Sequence, residues 1–223
     1  QKKVASNLNV ISTPSHNSMR DIENDFKVAR DKIVVIPNGI DFNIFMPLKN
    51  ISRIPNRLIT TASADVPLKG LDFTLGAISL LREDFPDIKL VVIGSPRHGG
   101  HTERLIRKLQ IEAHVSFKSN LTKQEIAQEY SQSSVAIVSS LYEGFGFPVG
   151  EAMACAIPLI ATNVASIPEI TSSFCQLIPS KSSEVIAQSL KNVFNDPDKY
   201  QLLADSGRKH IIDNFDWSKI AQL

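Results

Sequence analysis

Short β-branched runs alternate with amphipathic segments along almost the whole chain, and no other feature limits the fold as strongly. The runs lie at 10–12, 33–36, 58–62, 89–93, 115–117, 135–139, 158–161 and 176–178. Between them, apolar residues recur at helical spacing in 71–83, where Leu71, Leu75, Ile78 and Leu81 share a face, and in 102–109, 123–132, 148–155, 183–194 and 199–212. Strands alternating with helices of this length predict βαβ units and a parallel sheet, an α/β, Rossmann-like fold. Helix punctuation agrees: Thr122 and Glu125 have capping-box spacing, and Asp196 before Pro197 reads as an N-cap with proline in the first turn. Residues 46–57, with two prolines among polar residues, read as a linker.

Composition enters as a filter. With 43% hydrophobic and 21% charged residues, 223 residues can bury a core without disorder as the default. A net charge of +1 gives no general attraction to nucleic acid. The cluster Arg97, Arg104, Arg107 and Lys108 reads as a solvated helix face. Cys155 and Cys175 lack metal-ligand spacing and read as buried thiols of a reducing compartment. The apolar region 145–170 is interrupted by Glu151, Pro148, Pro158 and Pro168, so no spanning helix is expected. The opening QKKVASNLNV has no apolar signal-peptide core, and without an initiating Met the chain reads as a fragment.

In an open parallel sheet, ligands bind beyond the carboxyl ends of the strands, which here points to the loops 63–70, 94–101 and 140–147. The last of them, in YEGFGFPVGE, carries Glu143, Gly144, Phe145 and Gly146 and runs into a helix containing Glu151. Glycines let a ligand approach the backbone, and the free N–H groups of a helix N-terminus attract anions, so Gly144-Phe145-Gly146 suits a phosphate. The two carboxylates suit hydroxyl groups. A diphosphate carrying a sugar at each end satisfies both demands. The bland alternative stays open: Glu151, placed in the first helical turn, complements the helix dipole, and Glu143 fills a turn. Lys69, beside Gly70 in SADVPLKGL, is the expected cation for a diphosphate, with an ordinary surface lysine as its alternative.

The stretch SSLYEGFGFPVGEAMACAIPLIATNVASIPEI resembles the donor-binding signature of the retaining nucleotide-sugar glycosyltransferases of family 4, the glycosyl transferases group 1, including its glutamates eight apart. VIPNGIDFNIF resembles their interdomain region, LKGLDFTLGAISLL their phosphate-binding loop and helix, and NFDWSKIAQL the start of their crossover helix. The resemblance implies a GT-B architecture, two facing Rossmann-like domains. Residues 1–42 would be the last strand, helix and strand of the acceptor domain, 43–215 the donor-binding domain, and 216–223 the start of the crossover helix. It implies a retaining, metal-independent hexosyl transfer with a nucleoside diphosphate sugar as substrate, a UDP-sugar being the expected donor, and no cofactor. Glu143 and Lys69 would be the catalytic pair, with Glu143 on the donor sugar and Lys69 on the diphosphate. Glu151 would hold the ribose, the amides of Gly144, Phe145 and Gly146 the sugar and phosphates, and the backbone near Phe117 and Lys118 the base. The acceptor, a sugar or lipid-linked molecule, would be met by the N-terminal domain. The implied location is cytoplasmic or peripheral at the inner face of a membrane.

This chain departs from the family pattern in two residues. Ala64 stands where the family has an arginine five residues before its lysine, with Arg97 and Lys118 as candidate substitutes, and Ala156 stands where glycine is common. Rival readings are a non-catalytic nucleotide-sugar-binding module and a sugar-nucleotide epimerase. A nicotinamide dehydrogenase would need a Gly-x-Gly-x-x-Gly turn that VVIGSPRHGGH does not supply. His16, His98 and His101 read as ordinary loop histidines, and Cys155 has no base partner that would make it a nucleophile.

Overall fold

The computed structural model describes residues 2–62 and 65–222. Two parallel sheets organise them. In the small sheet β1 (Ile11–Thr13) pairs with β2 (Ile33–Val35), and the crossover between them is α2 (His16–Phe26), with α1 (Lys2–Ser6) ahead. The large sheet holds β3 (Ile54–Thr61), β4 (Lys89–Ile93), β5 (Val115–Lys118), β6 (Ser133–Val138), β7 (Leu159–Thr162) and β8 (Gln176–Ile178), all paired in parallel in the order β5-β4-β3-β6-β7-β8. The chain winds outward from β3 to β5, then returns to lay β6 against the other side of β3. That reversal opens a crevice beyond the carboxyl ends of β3 and β6.

Alternate strand residues face opposite layers, as a two-residue period requires. Leu58, Leu90 and Val92 pack with α3 (Leu71–Leu81), α4 (His101–Leu109) and α8 (Ser183–Asn195). Ile59, Val91 and Ile93 pack on the other face with α5 (Lys123–Gln132), α6 (Phe147–Ala154) and α9 (Pro197–Phe215). Both faces are therefore buried, which explains the continuous apolar runs seen in the sequence. The capping box at Thr122 and Glu125 forms, and Asp196 accepts from the Lys199 N–H at the start of α9.

The expected linker 46–57 is only partly one, since β3 begins at Ile54. Its pairing with β6 shifts register between Ile54 and Leu58, and Asn56 in that interval has a left-handed φ of 55°. A bulge of this kind tolerates Pro55, whose missing N–H argues against a strand when only the sequence is read. Four further helices escape the periodicity: α1, α2, the five-residue α7 (Ile167–Thr171), and the four-residue α10 (Trp217–Ile220). The chain end folds back on residues 39–40. Ile40 forms a parallel bridge with Asp216, and its N–H donates to the Phe215 carbonyl at 2.8 Å. Ala156, just beyond α6, is held at φ 49°, a conformation that costs an alanine more than a glycine.

Candidate active site

Lys69 closes a short 3₁₀ turn (Pro67–Lys69), and Gly70 follows at φ 62°. A Cβ on Gly70 would lie 2.0 Å from the Ser139 carbonyl, so glycine is what lets the loop after β3 press against the end of β6. This approach brings Lys69 Nζ to 2.7 Å from Glu143 Oε1, and the Ser140 hydroxyl donates to the same oxygen at 2.7 Å. Glu143 is 8% exposed. Two residues that the sequence puts 74 apart thus form one ion pair at the crevice.

Gly146, at φ 98°, turns the chain into α6, which starts at Phe147. Glu151 is the fifth helical residue and stands in the second turn, correcting the first-turn placement; a role in complementing the N-terminal dipole is correspondingly weak. Burial pushes its carboxyl up to about 7, only partly offset by the charge of Lys123. Among the described residues no hydrogen bond reaches this carboxylate. Tyr130 stands nearby and was not anticipated. Its hydroxyl lies 3.0 Å from Thr61 Oγ1 and 3.4 Å from the Pro148 carbonyl, and burial, with a contribution from the Glu151 charge, holds the phenol protonated.

Toward β5 the carboxyl edge holds a cavity of about 370 Å³ lined by Thr61, Ala62, Ile93, Gly94, Ser95, Ser119, Asn120 and Leu121. Phe117 and Lys118 are not part of its lining. Phe117 packs on the layer under α3 and α4. The Lys118 carbonyl accepts from the Gly94 N–H, and its ammonium pairs with Glu129 at 2.7 Å. The following three residues reach the cavity because they turn out of the strand, and a sequence reading of strand ends to within one or two residues could not separate them.

The loops after β3 and β4 are tied together by Asp65, whose carboxylate accepts from the backbone N–H of Arg97 and of Thr102, each at 2.8 Å. These bonds hold the Asp65 carboxyl below its ordinary range. Ala64 lies outside the described residues. Neither candidate substitute joins the ion pair: Arg97 is exposed, and Lys118 is committed to Glu129. The histidines also stay apart from it. His101 pairs with Asp72 at 2.7 Å on the surface, His98 is exposed, and His16 is tied by its backbone N–H to Glu169. Cys155 and Cys175 are free and buried, with burial pushing their thiols up to about 12 and about 11, which leaves both inert. Among the described residues no group of three His, Cys, Asp or Glu side chains is placed to hold a metal ion, and no helix is long and apolar enough to cross a membrane.

The sheet order and the polar cluster at its reversal define the class, a doubly wound α/β fold with its ligand face at the carboxyl edge. The particular family follows from comparison: residues 49–210 match the glycosyl transferases group 1, and the chain belongs to that family. The MMP alpha-(1->4)-mannosyltransferase of Mycolicibacterium hassiacum is 34% identical over 224 residues, covering 99% of this chain and 54% of its own length. Among solved structures, Anabaena Alr3699/HepE in complex with UDP and glucose superposes with a TM-score of 0.86 at 19% identity, over 99% of this chain and 64% of that one. The C-terminal domain of a group 1 glycosyl transferase (LpcC) from Francisella tularensis gives 0.69 at 24% identity, over 80% of this chain and 100% of that one. The expected α/β fold of GT-B type is thereby shown. The chain spans about half the length of the curated relatives it matches, 54%, 49% and 46% of three of them.

Proposed function

We propose that this chain is the donor-binding part of a retaining, metal-independent glycosyltransferase that moves a sugar from a nucleoside diphosphate to an acceptor hydroxyl. The observation that carries the reading is the Lys69–Glu143 pair at the switch point, beside the glycine-rich turn into α6. A diphosphate entering there takes Lys69 as its cation and the amides of Gly144, Phe145 and Gly146 as donors, so the charge growing on the leaving group is met by groups already in position. Glu143, released from Lys69, accepts from hydroxyls of the transferred sugar. Glu151 accepts from the ribose, and the base lies in the cavity lined by Ser119, Asn120 and Leu121. On this reading residues 1–42 belong to an acceptor-side domain, 43–215 to the donor domain, and 216–223 open the crossover. The acceptor, a sugar or a lipid-linked molecule, is met outside residues 43–215, and the work is cytoplasmic or at the inner face of a membrane.

A UDP-sugar is the first choice of donor, supported by the UDP and glucose in the Anabaena structure of like fold. A mannosyl donor is the second, because the 34% identical relative is a mannosyltransferase. Calorimetric titration with UDP-glucose, UDP-GlcNAc, GDP-mannose and ADP-glucose, on the wild type and on Lys69→Ala and Glu151→Ala, separates them. One donor should saturate the protein and be weakened by both substitutions. Binding that neither substitution alters would place the ligand elsewhere and remove the reading. Retention is checked separately, by following the anomeric configuration of the product by NMR.

A further inference from the structure

The turn from Glu143 to Gly146 has its carbonyls occupied and its amides open. Ser166 Oγ lies 2.8 Å from the carbonyl of Glu143 and 2.8 Å from that of Phe145. The Gly144 carbonyl accepts from Ser15 Oγ at 2.8 Å and from Ser18 Oγ at 3.1 Å. Ser166 carries one hydroxyl proton, which two carbonyls share, and the one proton of Ser15 is shared between the Gly144 carbonyl and Ser18 Oγ at 3.0 Å, with the Ser18 hydroxyl as the second donor to Gly144 O. Ser166 is 0% and Ser15 4% exposed, so solvent offers these hydroxyls little alternative. Among the described residues the N–H groups of Gly144, Phe145 and Gly146 have no hydrogen-bond partner.

A trans peptide unit is planar, and the carbonyl of one residue points opposite to the N–H of the next. Pinning the carbonyls of 143, 144 and 145 therefore sets the directions of the N–H groups of 144, 145 and 146. We propose that Ser15, Ser18 and Ser166 are positioning residues for the donor, their hydroxyls fixing three successive peptide planes so that three amides face the anion together. Two of the three come from α2 and its cap, 129 and 126 residues away in sequence. Glu169 holds that helix in place, its carboxylate accepting from the His16 N–H at 2.8 Å and the Asn17 N–H at 2.7 Å. The donor amides are thus in order only while α2 is docked. The inference rests on the donor-site reading above, and it adds that the site is completed from outside the large sheet.

Ser15 has a second duty, since its hydroxyl also accepts from the Ser18 N–H and caps α2. Ser15→Asp separates the two roles: aspartate caps as well as serine but has no proton for the Gly144 carbonyl. Ser15→Thr keeps both. The protein is titrated with UDP and with UDP-glucose well below the melting temperature of each variant, and the amide resonances of residues 144–146 are recorded without ligand. Losing these bonds should weaken UDP about tenfold in Ser15→Asp and Ser166→Ala and about threefold in Ser18→Ala, with wild-type binding in Ser15→Thr. The three amide resonances should shift or broaden in the weakened variants alone. Binding within twofold of wild type in Ser15→Asp and Ser166→Ala, while Lys69→Ala loses it, would leave the donor site standing and overturn the inference. Equal binding in wild type and Lys69→Ala, or none in either, would overturn the donor reading and the inference with it.

Discussion

The two edges of the large sheet treat their polar groups in opposite ways. At the amino edge two arginines are paired within the protein, while Gln176 Oε1 at the start of β8 is buried without a hydrogen-bond partner among the described residues. Arg53 reaches the carbonyls of Ser133 at 2.8 Å and Ala156 at 2.6 Å, while Arg57 meets Glu129 at both its backbone carbonyl, 3.1 Å, and its carboxylate, 2.5 Å. Two guanidinium groups thereby cap the carboxyl ends of α5 and α6, and Lys118 completes the charge balance of Glu129. At the carboxyl edge Glu151 and three amides are left without partners, and Lys69 holds its counter-charge at a site still 28% open on the lysine side. Buried polar groups left unpaired are costly, so unpartnered groups at the carboxyl edge are what the proposed donor site would satisfy.

The comparison can be broken by substitutions whose effects differ in kind. The largest belongs to the amino edge: Glu129→Ala leaves Arg57 without its carboxylate, and urea unfolding should show a loss of about 3 to 5 kcal/mol with UDP affinity unchanged in the folded fraction. Next is the pH dependence of Glu151. Its folded carboxyl titrates near 7 against an ordinary 4.5, so the native state holds the extra proton between those values, and stability falls as pH rises through that window. The fall amounts to about 3 kcal/mol, completed near pH 7 and flat above it. Glu151→Gln should abolish that part of the pH profile, and because hydroxyls donating to the carboxylate favour its ionised form, wild-type donor binding at pH 7, where the carboxyl is about half protonated, should release up to about half a proton that calorimetry in two buffers detects. A smaller change is expected in Lys69→Ala, which should weaken UDP by about 2 kcal/mol, some thirtyfold, in a filter-binding or calorimetric assay. The smallest sharpens the amino edge: Ala156→Gly should raise stability by about 1 kcal/mol in thermal unfolding by relieving the left-handed alanine.

The sequence made the large sheet readable because its central strands are buried on both faces and most helices on one, so burial writes the pattern. It also put Lys69, Glu143 and Glu151 on the carboxyl edge, where the structure has them, since the loops after β3 and β6 follow from strand order. What it concealed has a common cause in contacts that leave no period. The helix α2 buries only Met19 fully, and its placement depends on Glu169 and the Gly144 carbonyl, both far along the chain. Strand β3 starts behind a proline whose cost is absorbed by a bulge. The Lys69–Glu143 bond, the Ser166 contacts and Tyr130 beside Glu151 arise from packing across the crevice, and no spacing in the sequence announces them.

The closed pair of Lys69 and Glu143 also bears on discrimination. A visitor that takes the lysine must strand a carboxylate which is 8% exposed, and it recovers that cost only by offering the carboxylate something else. Inorganic phosphate supplies the anion and nothing for the acid, whereas a molecule bearing both anion and hydroxyls satisfies the two halves at once. On the proposed donor reading, the resting bond disfavours simple phosphate compounds that a cationic crevice would otherwise collect.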